Sequence, residues 1–269
     1  MQLSIQAKKA IKSEIHGFVD SVIKRRVQEP FKIAEEELSR PFHTALLPEE
    51  ILKSSKFERS FVTSLGQIGW EHIAKHVAEG KGYQAENSHK VSGEIYEGQL
   101  KVIQTILDEL EHPSATGRRV PDWSRETKEI LGAKAGSKQK IQVISDLYVK
   151  KKDGKEIFFE IKSSKPNSDQ TKVSKEKMLK LFAMKHSESP GVFFALPDNP
   201  FITRAKYAWP HPMRWFDMQT SPVVLIGKDF WDTLGGKGTY EELLAIFREV
   251  GKVTKKRIRT EYLKTNSKS

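Results

Sequence analysis

The chain has 269 residues, 46 Lys+Arg against 35 Asp+Glu, a formal charge of +11 and no cysteine. The missing cysteines exclude a disulfide scaffold, a thiolate zinc site and a cysteine nucleophile, and no apolar run reaches the roughly 18 residues that would span a bilayer. The N-terminus, MQLSIQAKKAIKSEIHG, breaks its apolar residues with Lys, Gln and Glu and has no signal-peptide core, so the cytoplasm is the expected address.

In chain order, residues 3–27 carry Ile11, Ile15, Phe18 and Val22 on one stripe, which predicts a helix. Pro30 and Pro41 punctuate the next segment, and Pro48-Glu49-Glu50 marks a helix start. A second helix is expected from about Phe57 to Ala78, interrupted by Gly66 and Gly69 at some cost in propensity. A third is expected over Val91–Leu110, with Leu100, Ile103, Leu107 and Leu110 in register. From His112 to Lys140 the chain is rich in Pro, Gly, Lys and Arg, a loop with a helical turn around Arg125–Leu131. Then the pattern switches to strands. Ile141–Val149 and Ile157–Ile161 flank Asp153-Gly154, a hairpin signal. Lys172–His186 predicts a helix, and Gly191–Leu196 and Val223–Ile226 predict short buried strands. Thr239 with Glu242 opens a helix to about Val250. The tail from Lys252 carries seven basic residues and one acid. Helices followed by a mixed β/α block predict an α/β fold with a largely helical N-terminal half. The positive charge favours a polyanionic partner, nucleic acid first; the alternative is a protein that is merely basic.

The chemistry concentrates in IQVISDLYVKKKDGKEIFFEIK, residues 141–162, where thirteen residues separate Asp146 from Glu160-Ile161-Lys162. If Lys152, Asp153 and Gly154 form a three-residue loop with Gly154 left-handed, Asp146 faces Glu160, and Lys162 shares their side of the sheet. A two-residue loop would send Asp146 to the other face. In the first register two carboxylates lie within about 5 Å of each other, a repulsion that a divalent cation resolves. Lys162 beside that ion could orient or deprotonate a water, or stabilise charge developing on a phosphate. The plain alternative is a surface hairpin with ordinary charges. Against it, Ile144, Tyr148 and Phe158 share the acid face and Ile157, Phe159 and Ile161 the other, so the strands look central. A literal PD…ExK at Pro121-Asp122 and Glu126-Thr127-Lys128 is discounted. Its acids are four residues apart in polar, loop-like surroundings where no hairpin can form.

Asp146, Glu160 and Lys162, on a hairpin followed by a helix, resemble the PD-(D/E)XK nuclease superfamily, with Ser145 where the motif has Pro. More narrowly, three stretches resemble the TdeIII type of type II restriction endonucleases: PFHTALLPEEILKSSKFERSFVTSLGQIGWEHIAKHVAE (41–79), EIKSSKPNSDQTKVSKEKMLKLFAM (160–184) and IGKDFWDTLGGKGTYEELLAIFREVG (226–251). The resemblance implies a restriction-endonuclease-like core, a mixed central sheet flanked by helices, that cuts double-stranded DNA at a short palindrome, with GGNCC suggested. Together with the chain order this reads as a single nuclease domain, with residues 1–112 mainly helical, 113–140 a basic loop region, 141–251 the catalytic core and 252–269 a basic tail. The resemblance further implies that Asp146, Glu160 and the Ile161 carbonyl bind Mg²⁺ and that Lys162 acts on the attacking water. A helix acid before the sheet, Glu71 first and Glu58 second, would complete the set. A palindrome fits a homodimer.

Candidate DNA contacts are Arg118, Arg119, Lys138 and Lys140 in the basic loop region, and Asn167, Gln170, Lys172 and Lys175 after the catalytic strand. Arg204 and Arg214 flank a basic and aromatic segment that is either a groove-reading loop or one packed by its own rings. No phosphate-binding glycine loop is present, so no nucleotide cofactor is expected. The alternatives to a restriction enzyme are a repair or junction nuclease of the same superfamily and a catalytically silent DNA-binding protein.

Overall fold

A computed structural model describes residues 3–113, 117–188 and 190–264; residues 114–116 of the basic loop and 265–269 of the basic tail lie outside the described residues. The chain divides into two compact units, one of Ala74–Tyr240, the other of Ser4–Ile73 with the chain from Glu241. No helix among the described residues is long and apolar enough to cross a membrane.

The second of these units is helical. In α1 (Ile5–Gln28), Ser4 accepts a hydrogen bond from Ala7 N, and Ile11, Ile15, Val19, Val22 and Ile23 are buried at helical spacing. Two short helices, α2 (Ile33–Ser39) and α3 (Pro41–Leu46), occupy the segment that the prolines punctuate. The expected second helix is α4 (Glu49–Ser64) and α5 (Trp70–Gly80), joined by a π-helical stretch at Leu65–Gly69. The glycines that weaken the helix thus sit where its turn widens. The final helix, α11 (Thr239–Arg257), carries Phe247 against Trp70, ring centroids 5.9 Å apart.

The other unit holds a five-stranded mixed sheet in the order β1-β2-β3-β4-β5. Its strands are β1 (Gln84–Tyr96), β2 (Lys138–Lys150), β3 (Glu156–Ile161), β4 (Gly191–Leu196) and β5 (Val224–Ile226). The first three pair antiparallel and the last three parallel. Between β3 and β4 runs α8 (Ser168–Lys185), the crossover that a parallel pair requires. Its Met178, Leu179, Leu181 and Ala183 join Phe158, Val192 and Phe194 of the sheet in one core. Ile103, Ile106, Leu107 and Leu110 of α6 (Glu97–Glu111) belong to that core as well. A single turn, α9 (Pro210–Met213), lies between β4 and β5 in the chain. Phe159 meets Phe230 of α10 (Lys228–Gly235) at 5.6 Å.

Three expectations change. Residues 91–96 belong to a strand, not to a helix continuing to Leu110. Val91 and Ile95 are four apart, which suits a helix, but exposure alternates residue by residue over Gln84–Tyr96 because β1 pairs with β2 along its length. The basic loop contains a full helix, α7 (Trp123–Gly132), opened by Asp122, whose side chain accepts from Arg125 N. The first strand of the hairpin starts at Lys138, three residues earlier than its apolar run.

Candidate active site

The hairpin turn fixes the register. Lys151 N donates to Lys155 O at 2.9 Å, Gly154 N to Lys151 O at 3.0 Å, and Gly154 has φ of +85°. This is the three-residue loop, with glycine in the conformation that a side chain would resist. Pairing then runs from Lys150↔Glu156 to Leu147↔Phe159. Beyond that pair β3 keeps only its parallel partner β4, paired from Ile157↔Gly191 to Ile161↔Ala195 and continued by Lys162 N donating to Ala195 O. The strands part at this point, and side chains of β2 satisfy the backbone of β3. Asp146 Oδ2 accepts from Ile161 N at 2.9 Å, and the Ser145 hydroxyl reaches the carbonyls of Leu147 and Phe159 at 3.1 and 3.2 Å. Proline could not do this. Ser145 is fully buried and holds the fork between the two strands. On the other side, Ser88 of β1 lies between the pairs Asn87↔Leu147 and His89↔Ser145 and is left-handed, φ +52°. The ladder is therefore disturbed on both sides of Asp146.

Two lysines hold the carboxylates together. Lys162 Nζ lies 2.6 Å from Asp146 Oδ2, 3.1 Å from the Ile161 carbonyl and 3.8 Å from Glu160 Oε2. Lys177 of α8 donates to both oxygens of Glu160 at 2.8 and 2.9 Å, with Asp146 Oδ1 at 3.5 Å. No motif in the sequence marks Lys177. It follows Lys175 and Glu176 on a helix with polar residues on every side, and only the packing of α8 shows which lysine faces the acids. Glu160 is 1 % exposed. Burial first, and the Asp146 charge second, push its carboxyl up to about 7, while Lys162 and Lys177 pull it back.

The Lys177 ammonium is a test of whether these residues suit a divalent ion. One cationic atom contacts oxygens of both carboxylates, so a single point between them can be reached by both. The donors are hard oxygens, Asp146, Glu160 and the Ile161 carbonyl, the type that Mg²⁺ takes while keeping several waters. No cluster of three or more His, Cys, Asp or Glu suited to a metal occurs among the described residues. Glu71 lies in the first turn of α5 and Glu58 on α4, both in the helical unit.

The remaining predicted residues divide by what they touch. Arg118, Lys140, Asn167 and Gln170 are exposed; Asn167 also caps α8, accepting from Gln170 N. Lys138 is exposed, 3.6 Å from Glu94. Lys172 pairs with Glu111, near which Arg214 also lies. Arg119 is committed to Glu109 and Glu129, and Arg204 donates to the carbonyls of Met218 and Ser221. Lys175 is a correction. It is 1 % exposed and paired with Glu126, itself fully buried, and its ammonium lies 4.6 Å from the Phe216 ring centroid and 5.3 Å from that of Trp123. A side chain sealed in this way does not reach a phosphate. The discounted PD…ExK segment supplies the other half of that pair: Asp122 caps α7 and Glu126 points inward.

The chain matches a family model described as type II restriction endonuclease, HinfI, over residues 4–251. It is 29 % identical over 266 residues to the type II restriction enzyme HgiCII of Herpetosiphon aurantiacus, covering 93 % of this chain and 96 % of that protein. The type II restriction enzyme HgiEI of the same organism is 30 % identical over 216 residues, 79 % of this chain and 77 % of the relative. The type II restriction enzyme MjaII of Methanocaldococcus jannaschii is 23 % identical over 283 residues, 93 % and 70 % of the two chains. No solved structure matches.

Proposed function

Since the chain belongs to the HinfI family of type II restriction endonucleases, we propose that it cuts both strands of a short palindrome in duplex DNA, using Mg²⁺ held by Asp146, Glu160 and the Ile161 carbonyl. The observation that carries this reading is the meeting of Asp146 and Glu160 around one cationic point, with Lys162 against the same carboxylates. It is the arrangement of the PD-(D/E)XK superfamily, to which we assign the core. A bound ion there would polarise the scissile phosphate and make a coordinated water acidic. Lys162 has the reach to orient the attacking water and to face the negative charge that develops on phosphorus. The Ile161 N–H and the Lys162 ammonium fix the Asp146 carboxylate, so the acid does not have to be ordered when substrate arrives. Glu71, with Glu58 as second choice, is assigned as the additional helix acid. The enzyme acts as a homodimer, one site per strand, since a two-fold palindrome presents the same phosphate twice. The TdeIII-type resemblance of residues 41–79, 160–184 and 226–251 supports GGNCC as the target. Exposed Arg118, Lys138, Lys140, Asn167 and Gln170 are assigned to the DNA surface.

Incubation with a plasmid rich in GGNCC sites, with Mg²⁺ or with EDTA, tests this directly. A discrete Mg²⁺-dependent ladder is expected, and its fragment ends give the site. Cleavage only at junctions or ends would favour a structure-specific nuclease, and a shifted but intact plasmid a silent binder.

A further inference from the structure

One exposed residue combines an apolar side chain with a conformation that resists it. Ile202 has φ of +69° and is 89 % exposed. A β-branched residue is an outlier in the left-handed region, and such outliers gather where function requires them. Burial cannot explain this one, because its side chain stands in solvent.

The loop that presents it is held firmly. It leaves the end of β4, and Asn199 Oδ1 accepts from Phe201 N at 2.9 Å while Asn199 O accepts from Ile202 N at 3.3 Å. Phe201 packs edge-on against Tyr207 with centroids 5.1 Å apart. The Tyr207 hydroxyl donates to Ser164 O and Trp209 Nε1 to Pro166 O, each at 2.8 Å. Those carbonyls belong to the segment after Lys162, and Lys162 N is bonded to β4 at Ala195 O. Rings thus clamp the loop to the exit of the catalytic strand, at the same end of the parallel strands as the carboxylates. Residues 199–209 include Arg204 and Lys206 and no acid. Lys165 lies over the Phe201 and Trp209 rings at 5.9 and 5.5 Å, and Lys165 and Lys206 are exposed.

We propose that Ile202 is a wedge that inserts between neighbouring bases of the bound duplex beside the scissile phosphate, with Lys165 and Lys206 on the flanking phosphates. The proposal rests on duplex DNA being the substrate. A lone apolar side chain with cations around it suits a base step, which gains an apolar contact when unstacked. A protein interface would need a broader apolar patch.

The test uses Ile202→Gly and Ile202→Asn, both at ease in the left-handed region. Duplexes carrying the cleaved sequence with 2-aminopurine at successive positions are bound in EDTA. The wild-type protein should raise fluorescence at one step. Both variants should melt no lower than wild type, lose that signal and bind about ten- to a hundredfold more weakly, the worth of one buried isoleucine side chain. Unchanged affinity and fluorescence in Ile202→Gly, with wild type binding and cutting normally, would overturn the wedge and leave the endonuclease standing. A glycine variant that melts lower would overturn it too, by showing that the side chain supports the fold. A wild-type protein that neither binds nor cuts any duplex would remove the substrate on which the proposal rests.

Discussion

Replacing Lys175 by Met separates a folding role from a DNA-binding one. The side chain is 1 % exposed and its partner Glu126 fully buried, so removing the ammonium leaves a buried carboxylate without its ion-pair partner. Breaking a buried pair from one side costs about 3–5 kcal/mol. At roughly 2–4 °C per kcal/mol for a chain of this size, melting should fall by roughly 10 °C. Methionine fits a slot lined by Phe216 and Trp123, so the loss is that of charge rather than of volume. Adding Glu126→Leu removes the stranded charge, and the double variant should regain most of the stability, since apolar replacement of a buried pair is often neutral or better. Urea unfolding followed by tryptophan fluorescence gives all four corners of the cycle. A salt titration of DNA affinity completes it: a phosphate contact at Lys175 would lower the slope of log K against log salt by about 0.9 in the double variant. The structure predicts an unchanged slope. A single variant within about 0.5 kcal/mol of wild type, or a slope that drops, would refute the buried-pair reading.

Other outcomes depend on the carboxylate site. Asp146→Ala should abolish cleavage and leave DNA binding largely intact in a mobility-shift assay; retained cleavage would remove Asp146 from the chemistry. Glu160 has its folded value raised to about 7 from 4.5. The native state therefore binds the extra proton between those values, and metal-free stability falls as pH rises through them, by about 3 kcal/mol in full. Urea melts in EDTA at pH 5 and pH 8 should show the fall in wild type and not in Glu160→Gln; equal falls in both would place its origin elsewhere. Lys177→Met should destabilise the metal-free protein by about 2 kcal/mol, because a buried carboxylate loses its charged donor. Added Mg²⁺ should then raise its melting temperature more than that of wild type, and equal shifts would show that Lys177 and the ion do not share their ligands.

Much of the candidate site was legible because it is local. Asp153-Gly154 selects its turn by the backbone preference of one glycine, and the turn sets a register that carries Asp146 and Glu160 to the fork one residue beyond the last pair, Leu147↔Phe159. The stripe of Ile11, Ile15 and Val22 likewise shows its helix, since the period is carried by the segment itself. What depends on distant partners was not legible. Residues 84–96 are a strand because β2, some fifty positions on, pairs with them; their own Val91 and Ile95 fit a helix as well. Lys172, Lys175 and Lys177 look alike in sequence, yet one pairs with Glu111, one is sealed against Glu126 and one bridges the two acids. Their separate roles come from the rotation of α8 on the sheet, which the core decides by burying Met178, Leu179 and Leu181. The type of side chain fixed what chemistry was available, and tertiary packing chose which copy of it stands at the site, because only packing determines which way a face of a helix points.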